Sequence, residues 1–320
     1  MESKSPFFSV IIPVYNRETR LAKALQSLNE QTFRDFETII IDDASTDNSF
    51  DVAHGFDLPN KTVVRNETNS ERCISRNRGI GLAKGEYICF LDSDDYHLPE
   101  HFEKLHRLIV GKGKPEAFFF SNAWNETETG ERSSRYCPDY ESVDPFVYFL
   151  RYTVNPQRWA VHRNIMQLHL FDPEVTIAED MDTSLRMVAD GVPVYQLKER
   201  TSVYVAASDS FTHGASNKWE RELENIKRIF AKPELKGKLP RWETNRLLSM
   251  CHYHLAARAN ENGRKAAMYK HGIKSFFLYP ASYNGSTNKP LFVMMVYGLP
   301  ILGCLIRNMV RLLKRKKWNI

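Results

Sequence analysis

Residues 87–95 read YICFLDSDD, an apolar run that ends in a cluster of aspartates. Such a run predicts a strand buried on both faces of a sheet. The carboxylates of Asp92, Asp94 and Asp95 repel one another unless a cation lies among them. Mg²⁺ and Mn²⁺ prefer oxygen ligands and bridge carboxylates to phosphate oxygens. The alternative is capping of the helix predicted from Pro99, which explains Asp95 but not Asp92 and Asp94.

Similar apolar runs precede this stretch and predict strands at 7–14, 37–42 and 62–65. Helices are predicted between the strands at 21–28 and 76–83, and from Pro99 onward. Alternation at this spacing indicates βαβ units and a mostly parallel α/β sheet. Ligands of such sheets bind beyond the carboxyl ends of the strands. Polar clusters lie at those ends, at 15–16, 42–43 and 92–95.

The rest of the chain is predicted from weaker patterns. A strand is expected at 117–122, antiparallel strands at 159–162 and 203–206, and helices from 218 onward, clearest at 242–259 and 265–277. The predicted domains are 1–215, with halves 1–110 and 111–215, and a helical region 216–320 with an apolar and basic tail at 291–320.

Composition and charge exclude several classes of protein. The chain has 320 residues, of which 42% are hydrophobic and 26% charged, so a buried core is expected. Its net charge of +5 is concentrated after residue 300, and the rest is close to neutral, so we expect no nucleic-acid partner. The five cysteines form no CxxC pair, which argues against a zinc site or a disulfide framework and indicates a reducing, cytoplasmic compartment.

Three blocks of sequence together resemble family 2 glycosyltransferases with the GT-A fold. They are FSVIIPVYNRETRLAKALQSLNEQTF from residue 8, FETIIIDDASTDNS from residue 36 and RCISRNRGIGLAKGEYICFLDSDD from residue 72. The last block contains the region that resembles the family's DxD motif, and the resemblance covers residues 7–110. It implies a GT-A catalytic domain with a nucleotide-binding half and an acceptor half. The implied reaction is an inverting transfer from a nucleotide diphosphate sugar, a UDP-sugar, to a glycan or lipid-linked acceptor in surface polysaccharide biosynthesis.

The resemblance also implies a donor site. Its nucleotide-sugar-binding residues would be Pro13, Tyr15, Asn16, Asp42, Asp43, Arg76, Asn77, Asp92 and Ser93. Tyr15 would lie against the base or, alternatively, pack under the first helix. Asp43 would accept a hydrogen bond from the base, although Asp42 and Asp43 also suit an Asx turn. Asp94 would be the main ligand of Mn²⁺ or Mg²⁺, with Asp92 on the ribose or on the metal through water.

On the acceptor side, Ala178-Glu179-Asp180 resembles the family's ED motif. Asp180 would be the base that takes the acceptor hydroxyl proton, and Glu179 would hydrogen-bond a sugar. The alternative is an acidic first turn that complements the helix dipole. His213 is a candidate ligand of the metal or a phosphate, and is otherwise structural. Arg158 and Trp159 are candidates for lining the acceptor cleft.

The tail predicts contact with a membrane surface. Residues 291–306 carry no charge, and a basic cluster follows them. Sixteen residues are short for a spanning helix, so we expect a peripheral anchor at the inner face of the plasma membrane. A buried terminal helix is the alternative.

The sequence also bears on three other functions: a nucleotidyltransferase, an inactive scaffold and an NAD-dependent enzyme. A sugar-nucleotide nucleotidyltransferase would need a glycine-rich loop after the first strand, whereas residues 13–19 read PVYNRET. A catalytically inactive membrane-associated scaffold would bind no nucleotide. An NAD-dependent enzyme is excluded because no GxGxxG motif follows the first strand.

Overall fold

Four parallel strands form the first half of the sheet in the computed structural model, which describes residues 5–135, 137–206 and 217–279. They are β1 (Phe8–Val14), β2 (Phe36–Asp42), β3 (Lys61–Arg65) and β4 (Tyr87–Phe90). Their order is β3-β2-β1-β4, and each neighbouring pair is parallel. The predicted parallel arrangement is therefore confirmed here, and the carboxyl ends of these strands meet at one edge.

The second half of the sheet is mixed. It contains β5 (Tyr96–His97), β6 (Phe118–Glu126), β7 (Arg132–Ser134), β8 (Trp159–His162) and β9 (Val194–Val205). From β4 the order continues β8-β6-β9-β5, with β7 paired to β6. The strand β8 is antiparallel to both β4 and β6, as predicted. The prediction at 203–206 was partly wrong, because β9 is longer and runs parallel to β6, although it is antiparallel to β5.

Helices cover the sheet. In the first part of the chain they are α1 (Leu21–Asn29), α2 (Ser49–Gly55), α3 (Glu71–Leu82), α4 (His101–Gly111), α5 (Pro145–Arg151), α6 (Arg163–Leu168) and α7 (Glu179–Ala189). Helix α1 buries Leu21, Leu25 and Leu28 on one face. Helix α3 begins five residues before the predicted start at residue 76. Its buried face includes Ser75 and Arg76, so the apolar periodicity that would reveal its first turns is missing.

Gly79 lies where α3 packs on β1. A Cβ atom built on Gly79 would stand 2.4 Å from Ile11 Cγ2, whereas one on Gly81 would have nothing within 4 Å. We expect Gly79→Ala to lower the free energy of unfolding by about 1–3 kcal/mol through overpacking. Gly81→Ala, the matched control, should raise it by about 0.4–1 kcal/mol. Urea denaturation measures both, and equal effects would contradict the close approach at Gly79.

The chain divides into two units, Met1–Gly214 and Ala215–Ile320. The described part of the second unit is helical, as predicted: α8 (Lys218–Phe230), α9 (Arg241–Glu261) and α10 (Lys265–Leu278). Ser249 on α9 and Ser275 on α10 join these helices through a hydroxyl pair at 3.0 Å. No helix within residues 217–279, or elsewhere in the described chain, is long and apolar enough to cross a membrane. The predicted anchor at 291–320 lies outside the described residues.

Candidate functional site

The loop after β2 holds Asp43 at the edge where the parallel strands end. One of its carboxylate oxygens, Oδ1, accepts hydrogen bonds from Asn66 Nδ2 at 2.6 Å and from the Ser70 backbone N–H at 3.0 Å. The described residues offer no hydrogen bond to the other oxygen, Oδ2. Asp43 is therefore fixed in orientation and keeps one acceptor for a ligand, such as a base N–H.

Asp42, the last residue of β2, has a different environment. Its Oδ2 accepts from the Ser45 backbone N–H at 3.2 Å and lies 3.3 Å from Arg65 Nε. The side chain is fully buried, and Oδ1 has no hydrogen-bond partner among the described residues. Asp42 thus shapes the turn beneath the site, as the Asx-turn alternative predicts.

The loop after β1 is tied to this turn by Asn16. Asn16 adopts a left-handed backbone conformation with φ of 50°, which asparagine tolerates. Its Oδ1 accepts from the Thr46 backbone N–H at 2.8 Å, so this amide oxygen braces the loop. Tyr15 is 43% exposed, which argues against packing under α1 and leaves its ring open to a ligand. Pro13 is a half-buried residue of β1.

The acidic loop after β4 separates its three carboxylates. Asp95 points inward, where its Oδ1 accepts from the Val205 backbone N–H at 2.7 Å. Asp92 and Asp94 remain partly exposed, with side-chain exposures of 25% and 23%, and Ser93 between them is buried. Helix α4 begins only at His101. Asp95 therefore does not cap that helix, and capping does not explain the cluster.

Arginines pair with both partly exposed carboxylates. Arg76 Nη2 lies 2.7 Å from Asp92 Oδ1, and Arg17 Nε lies 3.3 Å from Asp94 Oδ2. Burial, together with the charge of Asp92, raises the pKa of Asp94, while Arg17 lowers it. A carboxylate whose ionised form is disfavoured by a neighbouring carboxylate suits a divalent cation.

The donor set for such a cation is incomplete within the described residues. They contain no group of three or more His, Cys, Asp or Glu side chains that could hold a metal. Asp92 and Asp94 would hold the ion only with further oxygens, which a diphosphate and water supply. The pair therefore fits a cation that binds together with a diphosphate. His213, the predicted late ligand, lies outside the described residues.

Arg76 joins the acidic loop after β4 to the first turn of α7. Besides Asp92, it contacts Glu179 at the start of α7, with Nη1 2.9 Å from Glu179 Oε1. Arg76 is buried, which by itself would lower the pKa of its guanidinium, but Asp92 and Glu179 raise that pKa above its usual value. The neighbouring Asn77 pairs instead with the backbone of Phe171 at 2.7 and 2.9 Å. Arg76 thus contacts the acidic loop, whereas the Asn77 amide attaches α3 to the backbone at Phe171.

Asp180 follows Glu179 in the first turn of α7 and is half-buried. Burial and the charge of Glu179 raise the pKa of Asp180 to about 6, while Arg72 and Arg76 oppose this rise. Its Oδ1 accepts from the Met181 backbone N–H at 2.8 Å. A carboxylate with a pKa near the working pH is suited to general base catalysis.

Glu179 itself is held by two arginines. Arg72 contacts both of its oxygens, with Nε 2.9 Å from Oε1 and Nη2 3.2 Å from Oε2, and Arg76 shares Oε1. Neither Arg72 nor Arg17 was predicted from the sequence. The spacing of Arg72 and Arg76, four residues apart on one helix face, was the available signal.

Arg135, whose charge interacts with that of Asp180, is another arginine that was not predicted. Arg135 donates to Asn155 Oδ1 at 3.1 Å; burial and Arg158 lower its pKa, while Asp180 raises it. No sequence signal marked Arg135. The prediction that Arg158 and Trp159 line a cleft was wrong, because both are fully buried. Arg158 donates to the Ser121 carbonyl at 2.6 Å, and Trp159 packs on Phe171.

A cavity of about 450 Å³ lies at the opposite ends of β1 and β4. Its lining includes Phe7, Glu86 and His162. None of the predicted site residues lines it, so the cavity is separate from the candidate site.

The chain is similar in sequence to bacterial glycosyltransferases. Residues 9–167 match the model of glycosyl transferase family 2. An uncharacterized glycosyltransferase of Haemophilus influenzae is 43% identical over 101 residues, which cover 32% of this chain and 34% of the relative. The chain thus spans about a third of that relative's length. TuaG of Bacillus subtilis, named for teichuronic acid biosynthesis, is 26% identical over 237 residues, covering 71% of this chain and 92% of TuaG.

Among solved structures, S. aureus TarS in complex with UDP-GlcNAc is similar, with a TM-score of 0.62. The identity is 19%, and the match covers 85% of this chain and 84% of that one. The match shows a common fold, the mixed sheet flanked by helices that is implied by the GT-A resemblance.

Proposed function

Because the chain belongs to glycosyl transferase family 2 through residues 9–167, we propose that it is an inverting glycosyltransferase. It transfers a sugar from a nucleotide diphosphate sugar to a glycan or lipid-linked acceptor. The observation that carries the proposal is the double contact of Arg76. At 2.7 Å from Asp92 and 2.9 Å from Glu179, this buried arginine places the acidic loop beside the turn that holds Asp180. A donor site and a candidate base therefore share one edge of the sheet.

The donor nucleotide binds in the loops after β1 and β2. Tyr15 presents an exposed ring for stacking on the base, and Asp43 presents Oδ2 to the base N–H. A uracil base offers such an imide donor, and the similarity to TarS, solved with UDP-GlcNAc, supports a UDP-sugar.

The diphosphate lies over the acidic loop. Asp94 and Asp92 would hold Mn²⁺ or Mg²⁺ there, which would supply positive charge against the negative charge of the leaving nucleotide diphosphate. The Arg17 and Arg76 guanidiniums, each in contact with one of these aspartates, orient the carboxylates and reduce their mutual repulsion.

Asp180 takes the proton. As the acceptor oxygen bonds to the anomeric carbon, the bond from that carbon to the diphosphate breaks, and the hydroxyl proton passes to the Asp180 carboxylate. Attack from the face opposite the leaving group inverts the anomeric configuration. Glu179, held by two arginines, keeps the helix turn in place and adds negative charge beside the base.

We place the enzyme in surface polysaccharide assembly at the inner face of the plasma membrane. The name of TuaG supports a role in polysaccharide assembly. The uncharged segment and the basic cluster of the tail support a location at the membrane surface. The tail is the anchor in this proposal, and removal of residues 291–320 releases the protein from membranes.

The proposal is tested by calorimetric titration with UDP, GDP, CDP and dTDP, each with and without Mn²⁺. We expect UDP to bind with a Mn²⁺-dependent affinity and the other nucleotides to bind more weakly. Asp43→Ala should weaken UDP binding, because it removes the acceptor for the base. Binding of none of the nucleotides would favour the inactive scaffold. Formation of a nucleotide sugar from a nucleoside triphosphate and a sugar phosphate would favour the nucleotidyltransferase.

A further inference from the structure

The first turn of α7 needs support from outside the helix. It carries Glu179, Asp180 and Asp182, and its N-cap residue is an alanine, whose side chain makes no capping hydrogen bond. The residue before it, Ala178, has a left-handed backbone conformation with φ of 65°, which is unfavourable for a residue with a Cβ atom. The charge of Glu179 also disfavours the ionised form of Asp180. The conformation of this turn is therefore imposed by its neighbours.

Arg72 supplies that support. Its guanidinium spans both oxygens of Glu179, at 2.9 and 3.2 Å, and Nη2 also donates to the Thr176 carbonyl at 2.8 Å. The same side chain thus binds the loop before Ala178 and the first helical residue after it. A planar, bidentate arginine contact of this kind fixes orientation as well as distance.

Arg76 makes a contact of a different kind. It shares Glu179 Oε1 but also binds Asp92 in the acidic loop, so a change at Arg76 would disturb the donor side directly. The Arg72 contacts with Glu179 and Thr176 both lie on the acceptor side. Arg72 therefore supports the acceptor side, whereas Arg76, one helical turn further along α3, links the acceptor side to the acidic loop.

We propose that Arg72 is a positioning residue for Asp180: by clamping Glu179 and the Thr176 carbonyl, it holds the first turn of α7 where Asp180 meets the acceptor hydroxyl. This inference rests on the proposed function. Misplacement of a reacting group by about 1 Å can lower a rate about 10²-fold. Arg72 therefore affects the rate of the chemical step, whereas nucleotide binding depends on the residues around Asp43 and Asp94.

The test compares Arg72→Gln with Arg107→Gln, which removes an exposed arginine–glutamate pair on α4. Arg72→Gln should lower kcat by about 10- to 100-fold, with the Kd for UDP and Mn²⁺ unchanged, and Arg107→Gln should match the wild type. Arg72→Lys should be intermediate, because one ammonium group cannot reproduce the planar contact. If Arg72→Gln does not fold, a kcat of Arg72→Lys equal to that of the wild type overturns the proposal.

A second readout is independent of turnover. In the described part of the chain, the charged groups that act on Asp180 include Glu179, Arg72, Arg76 and Arg135. Loss of the Arg72 charge should raise the pKa of Asp180, measured by ¹³C NMR of the carboxyl group in the free protein. The resonance is assigned by its loss in Asp180→Asn. If Arg72→Gln changes neither the pKa of Asp180 nor kcat, the role of Arg72 is overturned and the proposed function is unaffected. If the wild type shows neither nucleotide binding nor turnover, the proposed function is overturned.

Discussion

Asp180→Asn is expected to lower kcat by about 10²- to 10⁴-fold, the usual contribution of a general base. Asparagine has the same shape and can still accept the hydrogen bond from the Met181 backbone N–H, but it cannot take the acceptor proton. The donor residues are unchanged, so the Kd for UDP and Mn²⁺ should equal that of the wild type. Single-turnover transfer and calorimetric titration measure the two quantities.

Asp190→Asn is the matched control, because it makes the same change just beyond the other end of α7. Asp190 is 54% exposed on its side chain and pairs with His169 at 2.9 Å, a contact that an amide oxygen retains. The wild-type kcat should rise with pH through about 6, because the pKa of Asp180 is raised and the base is lost as pH falls below that value. Asp180→Asn should lose this pH dependence. Turnover retained in the variant would place the base elsewhere.

The parallel half of the fold could be predicted because its strands are continuous apolar runs. β1, β2 and β4 are buried on both faces, and such strands leave a plain signal in the sequence. The place of the site followed from topology, since parallel strands bring their carboxyl ends to one edge. The polar clusters at 42–43 and 92–95 could be placed at that edge in this way, whereas the role of Asp43 came from the family resemblance.

The contacts themselves could not be predicted from one sequence. Glu179 lies 107 residues beyond Arg72, and Asp94 lies 77 residues beyond Arg17. Charged residues are usually solvated, so nothing marks such distant pairs in advance. β9 was predicted only at its end, because the stretch before that end, VYQLKERT, is polar and carries a register shift against β6.

Arg158 shows why an arginine in the sequence can mislead. An arginine beside a tryptophan suggested a ligand-binding surface, but backbone carbonyls satisfy its guanidinium in the core. It donates to Ser121 at 2.6 Å and to Thr153 at 2.9 Å. Burial of a charge is costly unless hydrogen bonds replace its hydration, and a single sequence does not reveal which carbonyls are available.

Asp94→Asn should abolish most of the response of the enzyme to divalent metal. We expect kcat to fall about 10²-fold or more at saturating Mn²⁺, since charge stabilisation by a bound ion is worth several kcal/mol. The variant should also bind UDP with the same affinity with and without Mn²⁺. EDTA should inactivate the wild type, with activity restored by Mn²⁺, and should have little further effect on the variant. Transfer rates over a Mn²⁺ titration give these values.

Asp94→Asn removes the negative charge of the side chain but should retain its contact with Arg17. Asparagine keeps an oxygen that can accept from Arg17 Nε, now 3.3 Å from Asp94 Oδ2, so the loop should remain attached. Asp92→Asn would also weaken the contact with Arg76 and is therefore less specific. Asp51→Asn, an exposed change on α2, is the control and should retain the wild-type response to Mn²⁺. If Asp94→Asn keeps that response too, Asp94 is not a metal ligand, and its raised pKa reflects burial and the charge of Asp92 alone.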